Sequence, residues 1–254
     1  MVSAGLKVAS SATSAAYVYF NDSSGPTANP AVREAITLAY DYSGGLAKFR
    51  GGAGSLADGP LPASMSCRPT LPTVKQDLTK AKKVLADAGL ANLTLTMRFQ
   101  PAFSEQAQEA TLLQSNLKQI GITVKLQPIA FADYLTLLGK FSTVPQLMLA
   151  TDAAPYPDAG VMVSQEFSSK AVGTNKDAYS DPQVDSLLAK ATSEPDAAER
   201  CGLYKQVQTL VTKDHGVMPL YTVDSLTAYS NGVQGAGLRA PNGSLAVASL
   251  RLSE

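Results

Sequence analysis

His215 is the only imidazole in the 254 residues, and Cys67 and Cys201 are the only thiols. A catalytic zinc site built on two histidines cannot be assembled from that inventory within one chain. A Cys–His nucleophile pair would need one of the two sulfurs, remote in sequence, to come within hydrogen-bond reach of the His215 ring. His215 follows a long helical pattern, where a cation meets the negative end of the helix dipole, and that role outweighs a metal-binding or catalytic one. Gly51-Gly52-Ala53-Gly54 has the looseness of a phosphate loop but lacks the Gly-Lys-Ser/Thr ending and the strand–loop–helix setting, so it reads as a flexible loop. Lys75, Lys80, Lys82 and Lys83, interrupted by Asp77 and Asp87, read as a solvated helix face.

The charge balance narrows the partners. With 21 basic and 21 acidic residues and a formal net charge of +0, the chain has no basic stripe to neutralise phosphates or to draw it to an anionic membrane. Its apolar runs fall short of the roughly 18 residues that a spanning helix needs. Met1-Val2-Ser3-Ala4-Gly5-Leu6-Lys7 carries one cation and no apolar core, so it is not a secretory signal. The chain is expected to be mature, cut or cytosolic.

The elements that must position any site alternate between helix and strand. Residues 1–20 alternate loosely and end in Tyr17-Val18-Tyr19-Phe20, a strand closed by Asn21-Asp22-Ser23-Ser24-Gly25-Pro26. Asn29 and Pro30 open a helix with Val32, Ala35, Ile36 and Ala39 inward, and Gly44-Gly45 ends that pattern. Residues 51–73, rich in Gly and Pro, form a long loop. Asp77 caps a helix with Ala81, Val84, Leu85 and Ala88 on its core stripe, and Leu93, Leu95, Met97 and Phe99 alternate as a half-buried strand. A helix over 104–120 leads to a strand of Ile122, Val124 and Leu126. A short helix over 131–139, a strand over 146–150 and a Pro-rich loop over 151–160 follow. Helices start at Asp181-Pro182 and at Pro195, and strands over 217–222 and 226–230 close the chain. The fold class is α/β, a mixed sheet with packed helices, in a single domain with no linker long enough to divide it.

The order of segments resembles a known family. Asn29-Pro30-Ala31-Val32-Arg33-Glu34-Ala35-Ile36, Gly59-Pro60-Leu61-Pro62 and Lys80-Ala81-Lys82-Lys83-Val84-Leu85-Ala86-Asp87-Ala88-Gly89 are similar to the second lobe of family 5 extracellular solute-binding proteins, the peptide, oligopeptide and nickel receptors of ABC importers. The likeness continues through Leu117-Lys118-Gln119-Ile120-Gly121-Ile122, Tyr179-Ser180-Asp181-Pro182-Gln183-Val184-Asp185 with Leu187-Leu188, and Glu199-Arg200 with Leu203-Tyr204-Lys205-Gln206-Val207-Gln208. It ends with Met218-Pro219-Leu220-Tyr221 and Val233-Gln234-Gly235. Each piece is weak alone; their shared order is specific.

The resemblance implies a periplasmic-binding-protein-like lobe spanning 1–254, with 1–20 and 240–254 near the hinge and the first lobe absent. The missing leader then means truncation, and the native molecule lies outside the cytoplasmic membrane, as a lipoprotein or free in a periplasm. Its partners would be a small-molecule or peptide ligand and, through the full-length receptor, a membrane permease. The implied state is a monomer with no catalysis, cofactor, metal or nucleic acid. The stretch Thr151-Asp152-Ala153-Ala154-Pro155-Tyr156-Pro157-Asp158 sits where peptide-binding members carry a Gly-Trp pair and then an Asp-Tyr pair whose carboxylate holds the peptide amine. Tyr156 matches the tyrosine, Pro155 takes the aspartate position and Asp152 takes the tryptophan position. The amine anchor is therefore displaced: either Asp152 replaces it or the ligand has no amine. Asp152 capping a turn weighs equally with a binding role. Thr151, Asp152, Tyr156 and Tyr134 are the expected ligand-binding residues, although tyrosines at such spacing more often fill core edges with the hydroxyl reaching out. An extracellular sensor or interaction module that keeps the fold without transport stays open as an alternative, with an enzyme third.

The cysteines carry one further expectation. At about 100° per residue, Leu203, Tyr204, Val207, Leu210 and Val211 form an inward stripe, and Cys201 falls about 120° from its centre. An even count in an exported protein favours one Cys67–Cys201 disulfide over two free thiols.

Overall fold

Alternation through Ala15-Ala16-Tyr17-Val18-Tyr19-Phe20 sends every second side chain to opposite faces of a sheet, and all six are at most 1% exposed. Both faces of this strand are therefore buried, which makes it the centre of the molecule. The computed structural model describes residues 5–51, 53–156, 158–239 and 244–252. In it the strand is β1 (Leu6–Phe20), followed by α1 (Pro30–Ala39), α2 (Tyr42–Phe49), β2 (Ser55–Leu56), α3 (Leu78–Asp87) and β3 (Thr94–Phe99). Then come α4 (Ser104–Lys118), β4 (Thr123–Pro128), α5 (Phe131–Leu138), β5 (Leu147–Ala153), α6 (Ala159–Phe167), α7 (Pro182–Ser193), α8 (Ala197–Lys213) and β6 (Val217–Ser230). The short strands β7 (Val233–Gln234), β8 (Leu238–Arg239), β9 (Ser244–Leu245) and β10 (Arg251–Leu252) complete the described chain. Of the two stretches expected beside the hinge, residues 1–4, 240–243 and 253–254 lie outside the described residues, as does Pro157 of the quoted motif.

Six strands form one mixed sheet in the order β2-β6-β1-β5-β3-β4. β1 is antiparallel to both β5 and β6, whereas β3 runs parallel to β4 and to β5. Ala16, Val18 and Phe20 join Leu95, Met97, Leu147 and Leu149 in a core with α1 to α4. Ala15, Tyr17 and Tyr19 join Met148 and Ala150 in a second core with α5 to α8. The two cores are the two faces of one sheet. Leu6 faces Ser230 and Leu252 faces Val233, so both described ends lie along the segment over 230–233.

Local chemistry explains the boundaries. The Asn29 side chain accepts from Ala31 N ahead of Pro30, and Asp77 and Asp181 cap α3 and α7 in the same way. Three boundaries differ from the sequence expectation. Gly44 and Gly45 do not end a helix; they lie inside α2, which Asp41 caps by accepting from Gly44 N at 2.9 Å. A Cβ on Gly45 would collide with the Tyr221 hydroxyl and lie 2.7 Å from that of Tyr40, and these hydroxyls are hydrogen-bonded to each other at 2.8 Å. Gly45 is thus a close-approach residue. The two closing strands are one: Val223, Asp224 and Ser225 keep pairing with β1 through a bulge between Ala12 and Ser14, because backbone pairing does not require apolar side chains. Residues 151–160 are not a single loop, as β5 extends to Ala153 and α6 starts at Ala159, capped by Asp158.

The Gly/Pro-rich loop before α3 is pinned to the second core. Tyr17 donates its hydroxyl to Pro60 O at 2.9 Å, Leu61 and Met65 are buried, and Arg68 pairs with Asp58. Cys67 and Cys201 are joined as a disulfide with Cα atoms 5.0 Å apart, and Gln208 of α8 donates to Cys67 O at 2.7 Å.

Candidate functional site

The three parallel strands β4, β3 and β5 all end on the same side of the sheet, and in open α/β sheets crevices form outside the carboxyl ends of the strands. Gln100 and Phe103 follow β3, α5 follows β4 with Phe131, Tyr134, Leu135 and Leu138, and β5 contributes its own last residues, Ala150 to Ala153. They line a cavity of about 490 Å³, bounded by Glu166 of α6, by Thr174 and Lys176 from the next loop, and by Arg50 and Val223. Its size suits a small solute.

The cavity floor is a cluster of four polar side chains. Tyr19 on β1 donates its hydroxyl to Asp152 Oδ2 at 2.6 Å. Lys176 donates to Glu166 Oε1 at 2.7 Å, lies 3.4 Å from Asp152 Oδ1, and sits 5.1 Å from the centre of the Tyr19 ring. The loop that brings Lys176 there is fixed by its neighbours. Asn175 bonds Ser168 O, Tyr179 O and Tyr179 N, while Asp177 accepts from Phe20 N at 3.0 Å. Burial opposes the charge on Lys176, but Glu166 and Asp152 outweigh it and hold the ammonium pKa above its ordinary value. Burial pushes the Glu166 carboxyl up to about 7, even though Lys176 and the Tyr19 hydroxyl pull the other way. Tyr134 and Tyr19 are raised chiefly by burial and then by the charge of Asp152, so both hydroxyls stay protonated.

At the opposite wall Arg50 lies 3.1 Å from Glu109 and 3.6 Å from Glu105. Burial raises Glu109 to about 7 despite the guanidinium. Phe131 stacks on Tyr134 with ring centroids 5.9 Å apart, and Phe131, Leu135 and Phe103 are exposed, giving the mouth an apolar rim.

The structure brings Tyr134, Thr151 and Asp152 together in this cavity. Thr151 and Asp152 lie on a strand, paired with Ala16 and Ala15, so Asp152 caps no turn. Tyr156 stands apart: it is 54% exposed and borders a separate, shallow depression with Asp158, Arg200 and Tyr204. His215 is not among the cavity-lining residues, and burial lowers its pKa, which disfavours the charged form a helix terminus would use. The cation at that terminus is Arg33, which donates to Asp214 O at 2.7 Å and His215 O at 3.0 Å. With both sulfurs in the disulfide, neither is a free nucleophile. Among the described residues no group of three or more His, Cys, Asp and Glu side chains could hold a metal ion.

Tyr19, Glu166 and Lys176 escape the sequence reading for separate reasons. Tyr19 sits in an apolar strand, Glu166 belongs to a helix hidden by its small-residue start, and Lys176 lies in a polar run that looks solvated. Their only common signal is three-dimensional.

A family profile described as bacterial extracellular solute-binding proteins, family 5 Middle, matches residues 3–174. Among curated proteins, the chain is similar to the probable D,D-dipeptide-binding periplasmic protein DdpA of Escherichia coli (strain K12), at 27% identity over 222 residues, 86% of this chain and 43% of that protein. It is also similar to the probable di/tripeptide-binding protein 5 of Pseudomonas aeruginosa (strain UCBPP-PA14), at 29% identity over 227 residues, 87% of this chain and 42% of that protein. The chain thus spans less than half the length of these relatives. Among solved structures, HbpA2 from Haemophilus parasuis superposes with a TM-score of 0.87 at 23% identity, over 98% of this chain and 50% of that one. That likeness is one of fold.

Proposed function

The chain belongs to the bacterial extracellular solute-binding proteins of family 5, and on that premise we propose that it is the second lobe of the substrate-binding component of an ABC importer. Residues 1–254 act as one unit, with 1–20 and 240–254 toward the hinge. The lobe captures a small extracellular solute, peptide-like, in the cleft facing the first lobe. The receptor is a monomer, works outside the cytoplasmic membrane as a surface lipoprotein or in a periplasm, and hands its solute to a membrane permease. The single observation that carries this reading is the concave, polar-floored cavity containing Asp152, Thr151 and Tyr134 at the carboxyl ends of β4, β3 and β5. An interaction module would be expected to show a flat or blocked surface there. The peptide-like nature of the solute is supported by the dipeptide and di/tripeptide names of the two curated relatives. Contacts made only when the lobes close around a solute would shift the open–closed equilibrium, with no chemistry required.

Mass spectrometry of material co-purified with the full-length receptor identifies the solute, and calorimetry then compares that receptor with the 254-residue chain. Binding pockets enclose some 70–90% of a ligand's surface, and one lobe supplies about half of that wall. A micromolar affinity is therefore expected to fall to the millimolar range in the isolated chain, at about 1.4 kcal/mol per tenfold. An affinity within tenfold of the intact receptor would refute the two-lobe clamp. A full-length protein that carries no solute and binds no peptide would refute the receptor.

A further inference from the structure

The Asp152 carboxylate is already engaged from within the chain. Asp152 has the Tyr19 hydroxyl on Oδ2 and the Lys176 ammonium near Oδ1, so neither oxygen is left for an external charge alone. The Lys176 ammonium is not a loose counter-ion. Its side chain is 9% exposed, it is bonded to Glu166 at 2.7 Å, and it lies against the Tyr19 ring. Swinging it away would leave two carboxyl groups, Asp152 and Glu166, facing one hydroxyl in a desolvated site.

A solute ammonium brought to the exposed side of Asp152 would have to sit beside this fixed one. Like charges in a low-dielectric pocket repel strongly, and that repulsion offsets the attraction of the carboxylate. A neutral donor or acceptor meets no such opposition. Thr151, Thr174 and the Tyr134 hydroxyl line the same space, and the rim of Phe103, Phe131 and Leu135 offers apolar surface. Below its pKa of about 7 Glu166 is protonated, and Lys176 then balances Asp152 alone, so the cluster is near neutral there and gains one negative charge only as pH rises past that value.

We propose that Lys176 is the built-in counter-ion of Asp152, so that the cavity selects solutes presenting an uncharged hydrogen-bonding group to the floor. An acylated amino terminus fits this description and a free one does not. The solute's apolar portion then lies along Phe103, Phe131 and Leu135. This inference rests on the cavity being the ligand wall of the receptor.

The test titrates the 254-residue chain, followed by backbone-amide NMR shifts, with two probes that differ in one group: alanyl-leucinamide and N-acetyl-alanyl-leucinamide. The acetylated probe is expected to bind about tenfold more tightly. A preference below threefold, or any preference for the free amine, overturns the proposal. In Lys176→Gln, Asp152 loses its ammonium and the preference is expected to reverse toward the free amine by about tenfold. Should that variant fail to fold, Lys176→Gln combined with Glu166→Gln removes both charges of the buried pair while still exposing Asp152, and the same reversal is expected. A retained preference for the acetylated probe in a folded variant overturns the role of Lys176. If neither probe shifts the cavity amides in any of these proteins up to tens of millimolar probe, the selectivity proposal is overturned, whereas the receptor reading stands or falls separately on whether the full-length protein carries a solute or binds peptide.

Discussion

Glu166 keeps one carboxyl oxygen buried and without a hydrogen-bond partner, and this makes it a titrating group of the fold as well as a member of the cavity floor. Its folded pKa is about 7 against an ordinary 4.5, with burial as the first cause. Between those values the folded chain binds a proton that the unfolded chain has released, so stability falls as pH rises from about 4.5 to 7 and the advantage is gone above that window. Buried His215 has the opposite sign: its pKa is lowered, so its contribution rises with pH up to the ordinary value of 6.5. Glu166→Gln is expected to remove up to roughly 3 kcal/mol of pH-dependent stability. Thermal unfolding of both proteins at pH 5 and pH 7.5 checks this; an equal difference in Tm for the two would sink it. The residues of the site were only partly legible in the sequence. Asp152, Thr151 and Tyr134 stood out through a resemblance, whereas the Tyr19–Asp152 bond joins residues separated by 133 positions that no spacing rule connects.

Elements declared themselves where a cap and a period agreed. Asn29, Asp77 and Asp181 precede clear apolar stripes, and the caps they predict are present. In α6 the start Ala159-Gly160 carries too little apolar signal, although the Asp158 cap is sound. In α2 the paired glycines suggested a stop because the packing role of Gly45 depends on Tyr40 and Tyr221, the latter far along the chain. Gly45→Ala is the corresponding test. Helix propensity alone would favour alanine by about 1 kcal/mol, but the added methyl must push apart a hydrogen-bonded pair of tyrosines, and overpacking of this kind costs roughly 1–3 kcal/mol. A net loss of up to about 2 kcal/mol is expected in urea unfolding, with partial recovery when Tyr221→Phe removes the offending hydroxyl. A stabilised Gly45→Ala protein would contradict the close approach.

At the scale of the whole molecule, the cavity and both cores depend on β1, which supplies Tyr19 to the floor and runs between β5 and β6. Tyr19 faces Met148 on one side and Val217 on the other, partners about 130 and about 200 residues further along the chain, so large loops must close before the sheet can exist. That topology sets a timetable for biosynthesis. At some 5–20 residues per second, about 10–40 s separate the appearance of β1 from that of β6. Until β5 appears about 130 residues later, roughly 7–26 s at that rate, Tyr17-Val18-Tyr19-Phe20, an uncharged run of strand-forming residues, has no strand partner and is the segment most exposed to intermolecular pairing. Refolding should share this order. In pulsed hydrogen exchange the amides of α4 and of the adjacent β3–β4 pair are expected to gain protection first, and those of β1 last and together with β6. Protection of β1 ahead of α4 would show that the central strand is ordered before its partners arrive.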